Sequence, residues 1–167
     1  MSTIRLILGL DPGLRHTGWG IVAQNGNRLS FVAAGRISPD SELPMAARLC
    51  LIAEELNDVL TAHHPEEAAI EETFMHKNAS SALKLGQARG AAILTLAQTG
   101  LAVTEYAANR IKQSVTGYGH ADKAQIQAMI NMLLPGSGKL AADAADALAV
   151  AICHAHHAIP AALKVRA

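Results

Sequence analysis

Ile4-Arg5-Leu6-Ile7-Leu8-Gly9-Leu10-Asp11-Pro12-Gly13 is a nearly continuous apolar run that ends on a carboxylate and a Pro-Gly turn. A short apolar run bounded by turn residues reads as a buried central strand, here over residues 4–10. Residues 18–24 and 29–37 are two further strand candidates, separated by Asn25-Gly26-Asn27. An Asn-Gly step between apolar runs is a hairpin signal, so the chain opens as a three-stranded antiparallel meander.

From Pro44 the period changes. Met45, Leu49, Ile52, Leu56 and Leu60 share one helical face, with Arg48, Glu54, Glu55 and Asp58 off it. Pro65 follows shortly after that helix, and residues 68–71 form a short strand that again ends on carboxylates. Ser80 or Ser81 can cap a second helix running to about Thr99, with Gly100 as its C′ residue. Residues 101–106 read as a fifth strand. Helices near 108–115, 122–134 and 141–157 finish the chain, with Gly117, Gly119, Pro135, Gly136 and Gly138 between them. The order β-β-β-α-β-α-β-α-α-α predicts an α/β fold. Its five-stranded mixed sheet combines an antiparallel meander with parallel strands, and helices cover both faces. A single domain is expected over residues 1–160, with a flexible tail over 161–167.

Half of the 167 residues are apolar and 17% are charged, which excludes a disordered chain. Aromatics are only 3%, so the core should be aliphatic. Fourteen basic residues balance fourteen acidic ones, a mild warning against nucleic-acid binding. Acids gathered in one metal site would lower the net charge while leaving a basic face elsewhere. Cys50 and Cys153 lack CxxC spacing and read as reduced thiols. No apolar stretch has bilayer-spanning length and no signal-peptide pattern is present, so a soluble cytoplasmic protein is expected.

Three places share one oddity, a carboxylate where an apolar element reaches an edge. Asp11 ends the first strand, Glu71 (with Glu72 beside it) ends the fourth, and Asp143 and Asp146 interrupt an alanine-rich helix. A spacing of three puts the last two on one helical face. Each has an ordinary explanation alone: a turn residue, a solvated strand end, an acid favoured by the helix dipole. Together they are four oxygen-donor side chains that a fold with parallel strands can bring to one edge. Such a set suits Mg²⁺ or Mn²⁺ and not Zn²⁺. Two such ions about 3.5–4 Å apart can activate water and stabilise the leaving oxygen of a phosphodiester.

The chain resembles the RuvC family of bacterial Holliday junction resolvases. The resemblance rests on Gly9-Leu10-Asp11-Pro12-Gly13 with Thr17-Gly18, and on Ala69-Ile70-Glu71 with Phe74-Met75 and Lys77-Asn78-Ala79. It continues through Ser81-Ala82-Leu83-Lys84-Leu85-Gly86-Gln87-Ala88-Arg89-Gly90, Tyr106-Ala107-Ala108, Ile111-Lys112-Gln113 and Lys123. It ends on Ala142-Asp143-Ala144-Ala145-Asp146-Ala147-Leu148-Ala149. The segments run in order from about residue 4 to 157, and the long string around Lys84 and Arg89 is the most specific.

This resemblance implies an RNase H-like fold and a Mg²⁺-dependent crossover junction endodeoxyribonuclease with two ions per site, Mn²⁺ substituting. It implies a homodimer that nicks two strands symmetrically near the crossover of four-way junction DNA, in recombination and repair. A branch-migration complex of the RuvA and RuvB type is an implied partner. Carried over by position, Asp11, Glu71, Asp143 and Asp146 hold the metal. Lys112 and Lys123 stand by the scissile phosphate and backbone, and Phe74 contacts bases. In that family the last acid can be histidine; here it is Asp146, so the site is expected to be fully carboxylate.

The residues themselves agree with these secondary roles. Phe74 follows Glu71 in an apparent loop, where a ring can stack on an unpaired base or be buried beneath the loop. His76, Lys77, Lys84 and Arg89 form one basic region. Arg110, Lys112, His120 and Lys123 form a second around Gly117-Tyr118-Gly119. Both could contact phosphate, or simply be solvated faces. Gly86 and Gly90 share a helix face and call for close approach of another backbone, either the sheet or a second subunit. His154, His156 and His157 cluster at a helix end, where the dipole's negative pole is a simpler reason than zinc. Two rival readings remain at this level. One is an ATPase of the actin and sugar-kinase type, disfavoured because that architecture needs two lobes. The other is a non-catalytic junction binder, disfavoured because acids facing phosphate gain it nothing.

Overall fold

The computed structural model describes residues 4–72 and 78–158. The expected tail lies outside these, as do Phe74, His76 and Lys77 in the stretch between the fourth strand and the second helix. Strands β1 (Arg5–Asp11), β2 (Thr17–Asn25) and β3 (Arg28–Ile37) are followed by α1 (Met45–His63), β4 (Glu67–Glu71) and α2 (Ala79–Gln98). Then come β5 (Val103–Tyr106), α3 (Ala108–Thr116), α4 (Lys123–Leu133) and α5 (Ala142–His157). The sheet order is β3-β2-β1-β4-β5. β1 pairs antiparallel with β2 and parallel with β4, β2 pairs antiparallel with β3, and β4 pairs parallel with β5. The expected meander closes on Gly26, whose φ of 60° supplies the left-handed step of a two-residue turn between Asn25 and Arg28.

Alternation along the strands builds two cores. Leu8, Leu10, Ile21, Ile37, Ala68 and Ile70 pack against Ile52 and Leu56 of α1 and against Ala88, Ala92 and Leu96 of α2. Ile7, Val22, Ala69 and Tyr106 pack on the other face against α3, α4 and α5. Every residue of α5 from 147 to 155 is buried.

α5 lies directly on the backbone of β1 and β2 because three glycines leave room. A Cβ on Gly9 would stand 2.0 Å from the Ala147 carbonyl oxygen, and one on Gly18 would stand 2.0 Å from that of Asp143. One on Gly20 would meet Leu148 Cγ at 2.6 Å. Alanines on α5 complete the close approach from the helix side.

A buried polar cluster fixes the far end of α5. His154 Nε2 donates to Glu67 Oε2 at 2.7 Å, because a carboxylate can only accept. In the neutral ring Nδ1 then accepts from the Tyr106 hydroxyl at 3.0 Å. Glu67 also pairs with Arg5 at 2.8 Å, and Gln24 donates to the Ala155 carbonyl at 3.0 Å. His157 Nδ1 lies 2.9 Å from the Cys153 carbonyl and 3.2 Å from Ser114 Oγ. The dipole explanation for these histidines is therefore incomplete: His154 is a buried hydrogen-bonding hub. Among the described residues no group of three His, Cys, Asp or Glu is arranged to hold a metal ion.

Two other expectations change. Asn78, extended at φ −105°, caps α2 through the Ser81 amide at 3.1 Å, in place of Ser80 or Ser81. Gly86 and Gly90 do not approach the sheet, since a Cβ on either would meet nothing within 4 Å. Cys50 and Cys153 are free thiols, and among the described residues no helix is long and apolar enough to cross a membrane.

Gly9→Ala should destabilise the protein by about 3 kcal/mol or more, because the methyl group must displace a helix backbone and not a mobile side chain. Chemical denaturation measures this, and a loss below about 1 kcal/mol would mean that α5 does not rest on β1.

Candidate active site

Side-chain parity decides which acids face one another. Gly9 and Ala69 both face α5, so Asp11 and Glu71, two residues on, face it too, and Glu72 points to the opposite side. β1 and β4 run parallel with Leu10 opposite Ile70, so their carboxylates emerge side by side at the same sheet edge. Asp143 and Asp146 come down on that edge from the first turns of α5, with Gly18 beneath Asp143. The turn after Asp11 is pinned by Thr17 Oγ1, which donates to the Gly13 carbonyl at 2.8 Å. Arg48 donates to the Leu14 carbonyl at 3.0 Å.

The four acids share an electrostatic field. The Asp11 carboxyl is raised from 3.8 to about 7, first by burial and then by repulsion from Asp146, Glu71 and Asp143, with Lys123 opposing. Burial and Asp146 raise Glu71, against the pull of Lys112 and Lys123. Burial also raises Asp146, which Lys123 lowers and Asp143 raises. Among the described residues no three of these groups already form a closed set of metal ligands. Two ion pairs draw the α5 acids outward: Asp146 to Lys123 at 3.8 Å and Asp143 to Arg36 at 3.7 Å. Four hard oxygen donors that repel one another nonetheless fit a divalent cation, which would relieve the repulsion that adds to burial in raising Asp11.

Beside the acids lies a cleft of about 330 Å³ lined by Glu71, Ala108, Ile111, Lys112, Lys123 and Asp146. Lys112 projects from α3, and Lys123 opens α4, whose start is set by a capping box between Asp122 and Gln125. Both lysines therefore stand beside Glu71 and Asp146. Lys84 is exposed on the first turns of α2. Arg89 is engaged within the fold. Its guanidinium pairs with Glu105 and donates to the Glu71 carbonyl at 3.3 Å, so it braces the strand end that carries Glu71.

Sequence reasoning missed Arg36. Its only signal lies in the strand register, where a bulge between Ile21 and Val22 shifts the pairing.

The strand order and a single edge carrying four acids define an RNase H-like fold of the nuclease type. A family model described as "Crossover junction endodeoxyribonuclease RuvC" matches residues 7–154. A relative of that name from Rhodopseudomonas palustris is 56% identical over 161 residues, covering 96% of this chain and 92% of the relative. The structure is similar to that of T. thermophilus RuvC in complex with Holliday junction substrate. That match has a TM-score of 0.83 at 30% identity and covers 90% of this chain and 93% of the other. The yeast mitochondrial Holliday junction resolvase Ydc2 shares the fold at a TM-score of 0.67 and 9% identity, over 89% of this chain and 77% of that one. The chain belongs to the RuvC family, the crossover junction endodeoxyribonucleases.

The raised carboxyl gives a signed prediction for stability. A raised carboxyl stabilises the fold fully below its unfolded value, and that contribution is lost as pH climbs to its folded value. For Asp11 the window runs from about 4 to about 7. In EDTA, Asp11→Asn should therefore melt above the parent at pH 7.5, with the gap closing toward pH 4. The expected gain is on the order of 2–4 kcal/mol, since a tenfold change in an acid's ionisation constant corresponds to about 1.4 kcal/mol. A gap independent of pH would show that ionisation of Asp11 is not the burden.

Proposed function

We propose that this chain resolves four-way DNA junctions by divalent-metal-dependent hydrolysis of phosphodiesters, with Asp11, Glu71, Asp143 and Asp146 as the metal-holding carboxylates. The observation that carries this is the convergence of four acids from β1, β4 and α5 on one edge, beside a cleft with two lysines. A relative described as acting on crossover junctions and a similar structure holding a Holliday junction substrate support the choice of DNA. Two bound Mg²⁺ ions, or Mn²⁺ in their place, would supply an activated water and charge stabilisation for the leaving oxygen. The rest falls to the chain's own groups. Asp11 and Glu71 sit on adjacent strands and α5 is locked to the sheet, so the donors are aligned before substrate arrives. Lys112 and Lys123 line the cleft and hold the phosphate. Lys84 contacts the backbone from α2, and by the sequence resemblance Lys77 contacts the backbone too and Phe74 stacks on a base near the crossover. Arg89 serves Glu71 from behind.

Two like-polarity strands need two sites, and α2 offers a face for a second copy. Leu83 and Leu94 are 66% and 58% exposed, with bare Gly86 and Gly90 between them. Glycine in a helix costs about 1 kcal/mol against alanine, and nothing among the described residues repays it. We place the α2 stripe at the interface of a homodimer. The activity belongs in the cytoplasm, in recombination and repair, with a branch-migration complex of the RuvA and RuvB type supplying positioned junctions.

Incubation with labelled four-way junction and Mg²⁺ should give paired nicks that linear duplex does not receive. Asp143→Asn should bind the junction within a few-fold of the parent and nick it at least ~100-fold more slowly, since bound metal contributes several kcal/mol. Full nicking by that variant would remove Asp143 from the site. Leu94→Glu should convert a dimer to monomers in sedimentation and abolish simultaneous nicking; a monomeric parent would refute the interface.

A further inference from the structure

We infer that Arg36 is a phosphate-binding residue of this site, holding the DNA strand on the side of the acids opposite Lys112 and Lys123. The inference rests on the nuclease reading above and deepens it. Counting from the tight turn, where Asn25 faces Arg28, an unbroken ladder would set Gly18 opposite Gly35 and send Arg36 to the α1 face. The bulge between Ile21 and Val22 shifts the pairing by one, so that Gly18 faces Arg36. A one-residue shift turns every later side chain to the other face of the sheet, and bulges beside active sites re-aim side chains in this way.

Gly18 also faces Asp11 across β1. Arg36, Gly18 and Asp11 thus form one transverse row on the α5 side, with Arg36 two strands, roughly 10 Å, from Asp11. The α5 acids are each paired outward, Asp146 to Lys123 of α4 at 3.8 Å and Asp143 to Arg36 of β3 at 3.7 Å. A pair built for stability looks different here: Arg5 and Glu67 are 2.8 Å apart and largely buried. The Arg36 side chain is 43% exposed and its contact is long, so its fork is available to an incoming oxyanion. Arginine presents parallel donors that match phosphate, and a cation here offsets the acids' repulsion of DNA on the side the lysines do not reach. A strand crossing the acids from the lysine cleft would leave past Arg36, which then contacts a phosphate one or two nucleotides from the scissile one.

The test uses the full-length protein, four-way junction DNA and Ca²⁺, with the DNA recovered uncut. Arg36→Ala should weaken junction binding about 5- to 20-fold and lower the slope of log affinity against log salt by about 0.9, the loss of one phosphate contact. Arg36→Lys should keep the slope and recover part of the affinity. Ethylation of single phosphates should reveal one that matters to the parent and not to Arg36→Ala. Unchanged affinity and slope in Arg36→Ala would overturn the proposal. So would parent-like binding with a raised Mg²⁺ requirement for nicking, because Arg36 would then act only by positioning Asp143. A parent that neither binds nor nicks the junction would overturn the nuclease reading instead.

Discussion

The contact on which the rest depends is that of α5 with the bare backbone of β1 and β2. Gly9, Gly18 and Gly20 let a helix settle where any side chain would collide with it. Burial of its alanine-rich face joins α3 and α4 to the sheet in one core. The same contact carries Asp143 and Asp146 down to the strand ends that bear Asp11 and Glu71. Packing and chemistry thus share one steric condition, and the glycines matter to the acids although they touch no substrate.

The acids are stable together only in part. Burial and then mutual repulsion raise the Asp11 carboxyl to about 7, while Lys112, Lys123 and Arg36 stand against the acids as counter-charges. A site in this condition has a standing demand for positive charge. A divalent cation would satisfy it from the centre, and the basic side chains do so from the rim. Phosphate is then attracted to a place that would repel it if the acids stood alone.

Much of this was legible in the residues. The Asn-Gly turn, the change of period at Pro44 and the strand-end acids give the sheet, its mixed pairing and the helices on both faces. Asp11 and Glu71 stand out because each ends an apolar strand, Asp143 and Asp146 because they interrupt an apolar helix, and Lys112 and Lys123 follow from the family resemblance. What stayed hidden depends on register or on distant partners. Arg36 is re-aimed by a bulge that no local pattern marks. Arg89 looks like any helix-face cation until β4 and β5 place Glu105 and the Glu71 carbonyl against it. His154 looks like a dipole-favoured helix end until Glu67 and Tyr106 arrive from two strands.

That histidine also bears on how precision reaches the active edge. α5 is a rod clamped at its far end, with His154 eleven residues from Asp143, roughly 16 Å along the axis at 1.5 Å per residue. A straight helix transmits axial slip undiminished. The hydrogen bonds of His154 to Glu67 and Tyr106 therefore calibrate where the near end stops, as a fixed zero sets a ruler. The alignment of acids that would have to meet an ion within tenths of an ångström is held in part by a side chain that stands far from them.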